Sequence, residues 1–342
     1  MRILLMMDAA IPVPPPLYGG HERLVAMFAK EYERLGHEVH LLAGPGSQWS
    51  NLHTFGKNGY YKNHLEQFGE LWEVWLYLKK HHQEFDLIHN FGRLLFLLPI
   101  LNKNVFKIMT YGRDVTGSAI KNINRLPNKN LIFTACSNNC ANTGNTAGVW
   151  KTVYNAIEFD QYDLNTKVSL DAPLMFLGRI EALKGTHTAV QVALKTKHSL
   201  WIAGNIEEEH QTFYEQEILP YVDGQQIVYL GPLNDEQKNY YLGKSKALLF
   251  PIEWEEPFGM VMVEAMACGT PVIAYPRGAV PEVVEEGVTG FIVNNLKDMI
   301  DAVSKIGNVE RMQCRTNAMK KFDVKVVAQN YLDLVHHDES IS

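Results

Sequence analysis

The chain alternates short apolar runs with amphipathic stretches, and it does so in two series. Arg2 to Met7 is a compact apolar run, followed by a proline-rich loop from Ile11 to Pro16, the pair Gly19-Gly20 and an amphipathic stretch from His21 to Leu35. Strand, loop and helix is the reading. Gly36 ends that helix and Glu38 to Ala43 supplies the next strand, so the opening is a βαβ unit with glycines where its first helix begins. Further strand candidates are Leu87 to His89, Lys107 to Thr110, Leu131 to Ala135 and Thr152 to Tyr154. The pattern restarts at Leu174 to Arg179. It continues through helix 186–196, strand 199–203, helix 207–221, strand 226–230, helix 235–245, strand 247–250, a helix after Pro257, strand 272–275, a helix opened by Pro281 and strand 291–293. Such alternation builds a parallel sheet with helices on both faces. Two series predict two doubly wound α/β domains, and ligands of such sheets bind beyond the carboxyl ends of the strands, so the two sheets should define one cleft. Polar and acidic residues from Phe159 to Pro173 read as the linker, which places the domains at 1–160 and 174–323.

Composition narrows the class further. A chain of 342 residues exceeds one ordinary core, and 46% hydrophobic with 20% charged residues is normal for a globular protein. MRILLMMDAA breaks at Asp8 before it can act as an export signal. The apolar run Leu94 to Leu101 is far short of the ~20 residues that span a bilayer, and it reads as a buried helix. Cys136, Cys140, Cys268 and Cys314 show neither zinc spacing nor disulfide density, which suits a reducing cytoplasm, with Cys268 a small core residue. Residues 1–150 hold 15 Lys+Arg against 11 Asp+Glu, and residues 151–342 hold 17 against 27. A basic first half is compatible with anionic partners such as lipid-linked acceptors or a membrane surface, although uneven solvation explains it as well. The acidic total argues against nucleic acid.

Chemistry concentrates in Glu253 to Pro271. Pro257 pushes Glu256 out of the α region, which leaves its carboxylate on an extended stretch at a helix mouth. Phe258, Gly259, Met260 and Val261 then fall in the expected first turn, where backbone N–H groups lack intrahelical partners and can hold a phosphate or sugar oxygen. Glu264 lies five residues beyond Gly259, roughly 7.5 Å along the axis. It sits within the apolar run Met260, Val261, Met262, Val263, Ala265, Met266, where a carboxylate is costly unless something pairs with it. Gly269 and Pro271 stop the helix.

The run Glu256-Pro257-Phe258-Gly259-Met260-Val261-Met262-Val263-Glu264-Ala265-Met266-Ala267-Cys268-Gly269-Thr270-Pro271-Val272 resembles the signature of the retaining glycosyltransferases of family 4, the glycogen synthase-like group 1 enzymes. The resemblance implies the GT-B fold, two Rossmann-like domains with parallel sheets facing a cleft. It also implies that the first domain binds the acceptor, the second binds the donor, and the last helix, about 324–342, crosses back onto the first domain. Leu177 to Gly185 resembles the family's arginine, then lysine-glycine, motif, so Arg179 and Lys184 would steady the departing diphosphate. Glu256 would orient the donor sugar and Glu264 hold the ribose. Gly19 and Gly20 resemble the loop that approaches the donor phosphates, and Leu233 would pass near the base. Tyr111 stands where many relatives carry a histidine that contacts the donor sugar. His89, Asp114 and Asn155 are weaker candidates for the acceptor side or the cleft, and for His89 a satisfied core position is an equal reading.

The expected activity is retaining, metal-independent hexosyl transfer from a nucleotide-diphosphate sugar, a UDP-sugar first, to an acceptor hydroxyl, with no cofactor. The acceptor, sugar or lipid-linked, would meet loops of the first domain, above all Gly44 to Asn63. The alternatives are a nucleotide-sugar epimerase or hydrolase on the same scaffold, or an inactive nucleotide-sugar binding protein. A cytoplasmic location is expected, with peripheral contact at the inner face of a membrane as an option.

Overall fold

The computed structural model describes residues 1–16, 19–60, 62–113, 115–145 and 147–338, the side chains of 336–338 excepted. It forms two compact units, Met1–Ala156 with the segment from Val324 onward, and Ile157–Asp323.

Unit 1 is built on seven parallel strands, β1 (Arg2–Met6), β2 (Glu38–Ala43), β3 (Leu52–Thr54), β4 (Leu87–Asn90), β5 (Phe106–Tyr111), β6 (Leu131–Ala135) and β7 (Val149–Thr152). Their order is β3-β2-β1-β4-β5-β6-β7. Successive β1 residues alternate between faces: Ile3 and Leu5 join one core cluster with Phe28 and Tyr331, while Leu4 and Met6 join a second with Val74, Leu78 and Phe96. Both faces are therefore dry, as a parallel sheet requires. Helix Val324–Asp338 packs against helix Gly20–Arg34, with Tyr331 edge-on to Phe28 at a centroid distance of 5.3 Å. The last strand ends earlier than expected, at Thr152. Leu52–Thr54 adds an edge strand inside the stretch read as a loop, where it pairs with Leu41 to Ala43.

Unit 2 carries β8 (Leu174–Leu177), β9 (Leu200–Ala203), β10 (Ile227–Gly231), β11 (Ala247–Phe250), β12 (Val272–Ala274) and β13 (Gly290–Ile292), all parallel, in the order β10-β9-β8-β11-β12-β13. Segment 208–221 is a series of short turns instead of one helix, and a π-turn from Tyr214 to Ile218 buries both of those side chains. Residues 159–173 are not a loose linker. The buried Arg311 bonds the carbonyls of Asn165, Gly243 and Ser245, and Arg315 bonds those of Phe159 and Tyr162, so the segment is strapped to unit 2. The chain leaves and re-enters this unit side by side, joined by a parallel bridge between Ile157 and Asp323.

His89 belongs to the unit 1 core and not to a ligand site. It is fully buried, with Nε2 2.8 Å from the Thr110 hydroxyl, Nδ1 3.4 Å from the Tyr32 hydroxyl, and its ring against Phe91 and Tyr331. Burial holds its pKa down at about 3. The folded state thus binds its proton more weakly than the unfolded chain, whose imidazole titrates near about 6.5. The neutral ring costs nothing above that pH, and below it stability should fall by about 1.4 kcal/mol per pH unit until the folded pKa is reached. In urea titrations, the stability of wild type relative to His89→Gln should be level from pH 7.5 to about 6.5 and then fall with that slope toward pH 5; a flat difference throughout would show that another group carries the acid sensitivity.

Candidate functional site

In unit 2 the chain leaves β8 toward β9 and β11 toward β12, in opposite directions, although β8 and β11 are neighbours. The loops after them diverge and leave a crevice at their carboxyl ends. Each loop delivers one side chain of a close pair. After β8, the short turn Ala182–Lys184 ends at Gly185, whose φ of +77° is left-handed; a Cβ there would lie 2.0 Å from the Pro251 carbonyl oxygen. Glycine thus lets the two loops touch. After β11, the backbone of Glu256 is fixed by its neighbour loop. Ala279 N–H donates to its carbonyl at 2.9 Å, and a Cβ on Gly278 would lie 2.1 Å from that carbonyl oxygen.

Lys184 Nζ lies 2.6 Å from Glu256 Oε2, and Trp254 Nε1 donates to the same oxygen at 3.0 Å. The Lys184 ammonium also sits 5.0 Å from the centroid of the Trp254 ring. Both charged side chains are about 15% exposed, so the pair is partly desolvated yet reachable. Its carboxylate accepts two donors while its ammonium meets a carboxylate and a π face.

Glu264 forms a second pair. It lies on helix Met260–Ala267, which begins after Gly259 in a left-handed conformation, φ +81°. Its Oε1 accepts Lys238 Nζ at 2.8 Å and the Tyr162 hydroxyl at 3.2 Å. Burial pulls the Lys238 ammonium down, but Glu264 and Asp235 beside it outweigh burial and hold its pKa above the ordinary value. Burial and the Glu264 charge push the Tyr162 phenol up. Burial likewise pushes the Cys268 thiol up to about 12, which keeps it inert.

Other expectations fare differently. Phe258 precedes the helix and is not in its first turn, and its side chain is buried against Phe322, ring centroids 5.6 Å apart. Gly259 caps the helix from outside, and Met260 and Val261, half-buried, open it. Arg179 and Lys184 have different acidic partners. Arg179 pairs with Glu181 at 3.1 Å and Glu207 at 3.6 Å, and Glu181 also takes His210 Nε2 at 3.0 Å. Glu207, Glu209 and His210 are close enough to one another to share an ion, but they are surface groups within this ion-pair network. Leu233 is half-buried in the loop after β10, two strands from β8.

In unit 1, Gly19 precedes the helix Gly20–Arg34, and a Cβ on it would meet Pro15 at 2.7 Å, whereas Gly20 has open space around it. Tyr111 is half-buried, its ring stacked on Trp150 and Phe133 beside the core, and burial raises its pKa. His21 occupies the space over Gly112, its Nε2 only 1.9 Å from where a Cβ on Gly112 would be. Its pKa is lowered by burial and by Arg113. At the ends of β1 and β4, Asp8 Oδ1 lies 3.2 Å from Arg93 Nε, and burial raises the Asp8 carboxyl pKa despite Arg93 and Arg113. Asn155 is half-buried next to the end of unit 1, and Asp114 lies outside the described residues.

The sequence reading missed Trp254, Lys238 and Tyr162 in unit 2 and Asp8, His21, Arg93 and Arg113 in unit 1. Asp8 could have been found, since it directly follows the predicted strand Arg2 to Met7, and Arg93 lies within four residues of the predicted strand Leu87 to His89. Lys238 could not, being one lysine on an otherwise ordinary helix.

Residues 166–322 match the family model described as Glycosyl transferases group 1. Over 202 residues the chain is 27% identical to an uncharacterized 41.2 kDa protein in the cps region of Klebsiella pneumoniae, covering 54% of each chain. It spans about half the length of the curated relatives it matches. Among solved structures, the sucrose-phosphate synthase of Thermosynechococcus elongatus is similar with a TM-score of 0.76 at 18% identity, covering 100% of both chains. HepE of Anabaena, solved in complex with UDP and glucose, is similar with a TM-score of 0.72 at 18% identity, covering 98% of this chain and 100% of that one. The fold is GT-B.

The contact of Gly278 with the Glu256 backbone is testable. Gly278→Ala, which adds a Cβ within 2.1 Å of a carbonyl oxygen at φ +57°, should cost about 2–4 kcal/mol in chemical denaturation. A cost below about 0.5 kcal/mol would mean that the loop carrying Glu256 is not held as described.

Proposed function

We propose that the protein is a retaining hexosyltransferase that uses a nucleotide-diphosphate sugar, a UDP-sugar first, and no metal, a reading supported by the match of residues 166–322 to the group 1 glycosyl transferases and by the GT-B fold. The observation that carries this reading is the Lys184–Glu256 pair at the point where the unit 2 strands diverge, 2.6 Å apart and bonded by Trp254. Donor binding is an exchange: the diphosphate takes Lys184, and the sugar hydroxyls take Glu256. A second exchange applies to Arg179, which leaves Glu181 and Glu207 for phosphate oxygens. Glu264, oriented through one oxygen by Lys238 and Tyr162, holds the ribose hydroxyls.

The reaction breaks the bond between the anomeric carbon and the phosphate oxygen, forms one from that carbon to the acceptor oxygen on the same face, and leaves the acceptor proton on the departing phosphate. Lys184 and Arg179 stabilise the charge that grows there, which takes over the duty of a divalent ion. UDP as the nucleotide draws support from HepE, solved with UDP and glucose. The acceptor, a sugar or a lipid-linked molecule, is assigned to unit 1, where Asp8, Arg93 and His21 gather at the ends of β1, β4 and β5, and the reaction is placed at the cytoplasmic side. Among the described residues no helix is long and apolar enough to cross a membrane.

Glu256→Gln and Lys184→Ala should each lower turnover by about two orders of magnitude in a UDP-release assay with an accepted donor and acceptor. Wild-type rates from both would overturn the assignment. Glu264→Ala should instead act mainly on the donor, raising its KM about tenfold or more with a smaller change in kcat. In thermal-shift titrations of UDP, GDP and ADP with their sugars, the cognate nucleotide should raise the melting temperature by a few degrees near 100 Kd. Release of free sugar from the donor alone, as fast as transfer, would favour a hydrolase.

A further inference from the structure

The helix His64–His81 of unit 1 buries Glu70, Val74 and Leu78 and leaves a second apolar face in solvent. Leu65, Phe68, Trp72 and Leu76 are 84%, 59%, 48% and 51% exposed. Spaced three and four residues apart, they form one stripe about 16 Å long. Phe68 and Trp72 stack with centroids 6.5 Å apart, and Leu95, 50% exposed, lies alongside, its carbonyl accepting the Trp75 indole at 2.8 Å. A surface helix with one core face ordinarily carries polar residues on the other.

The charges around the stripe are sorted by sign. Glu70 is turned inward to Lys62 and Arg93. Glu66 closes the helix start by accepting from Asn63 N–H, and it lies 3.6 Å from Lys57. Glu73 accepts from the Gly56 N–H. Every carboxylate of the helix is thus engaged with the flanking segment 56–63 or the interior. Lys79 and Lys80, both exposed, follow the stripe at its carboxyl end on the same side. Their long stems can lie along apolar surface while the ammonium groups stay at a polar boundary.

We propose that this helix docks the protein on an anionic phospholipid bilayer, lying in the plane of the interface. Phe68, Trp72, Leu65 and Leu76 enter the headgroup boundary, and Lys79 and Lys80 meet the lipid phosphates. Aromatic rings beside lysines match a surface that is apolar below and negative above, and the inward turn of Glu70 removes the repulsion a carboxylate would add. The inference goes beyond sugar transfer and stands whether or not the chain proves to be a transferase.

The test is sedimentation of the whole protein with vesicles of phosphatidylcholine alone and of phosphatidylcholine with phosphatidylglycerol. Wild type should bind the anionic vesicles, less so as salt rises, and not the neutral ones. Phe68→Ser/Trp72→Ser and Lys79→Gln/Lys80→Gln should each reduce binding about tenfold or more with a melting temperature within a few degrees of wild type, since both pairs are on the surface and the second is neutralised, not reversed, at the helix end. Failure of wild type to bind anionic vesicles, or unchanged binding by both folded variants, would overturn the proposal. So would a lipid-free dimer that the serine pair converts to monomer without affecting vesicle binding, because the stripe would then belong to a second copy of the chain.

Discussion

Parallel strands covered on both faces leave polar chemistry nowhere to stand except at their ends, and that constraint sets the plan of this protein. Along β1 every residue from Ile3 to Met6 is buried, two toward each face. Most strand side chains therefore serve packing, with a few buried polar groups such as His89, Thr110 and Thr134 bonded to one another, and the ion pairs stand in the loops. In unit 2 the neighbours β8 and β11 deliver Lys184 and Glu256; in unit 1 the neighbours β1 and β4 deliver Asp8 and Arg93. Each unit thus holds an ion pair where the connections of two adjacent strands part company.

Such pairs contribute little to stability on balance, since the desolvation of two ions offsets much of their attraction, yet losing one partner leaves the other stranded. That asymmetry suits a binding site. A ligand that supplies both a negative group and hydroxyls can replace each half of the Lys184–Glu256 pair without leaving either charge unmatched. The glycines make the exchange geometrically possible. Gly185 and Gly278 let backbone meet backbone at places where a Cβ would collide, so the two charged side chains emerge from loops that cannot drift apart easily.

Much of this was legible in the sequence, because alternation of apolar runs is imposed by the same two-faced burial that makes the sheets. All strands of both series but the edge strand Leu52–Thr54, and the helix behind Glu264, could be read from the apolar runs, and the carboxylates from their place beside Pro257 and within an apolar run. What could not be read is pairing across distance. Arg179 and Lys184 are close in sequence, but their partners could not be read from it: Glu181 and Glu207 pair with the first and Glu256 with the second. Around Tyr111, the stacking of its ring on Phe133 and Trp150 and the histidine from a distant helix that fills the space over Gly112 could not be read either. His89 sat at a strand end like a functional residue, and two hydroxyl-bearing partners, Tyr32 and Thr110, make it a core group instead.

The polar stretch after Phe159 shows how far such pairing reaches. Its composition reads as a linker, but Arg315 turns it into part of the site. One guanidinium donates to the carbonyls of Phe159 and Tyr162 and to that of Ala267, the last residue of the helix that carries Glu264. A cation at that end of the helix also meets the negative pole of its dipole. Tyr162 in turn bonds Glu264 through its hydroxyl. The carboxylate is therefore positioned twice by the same arginine, once through the helix beneath it and once through the tyrosine beside it. A lysine, with its point charge and no planar fork, could not reach three carbonyls in this geometry.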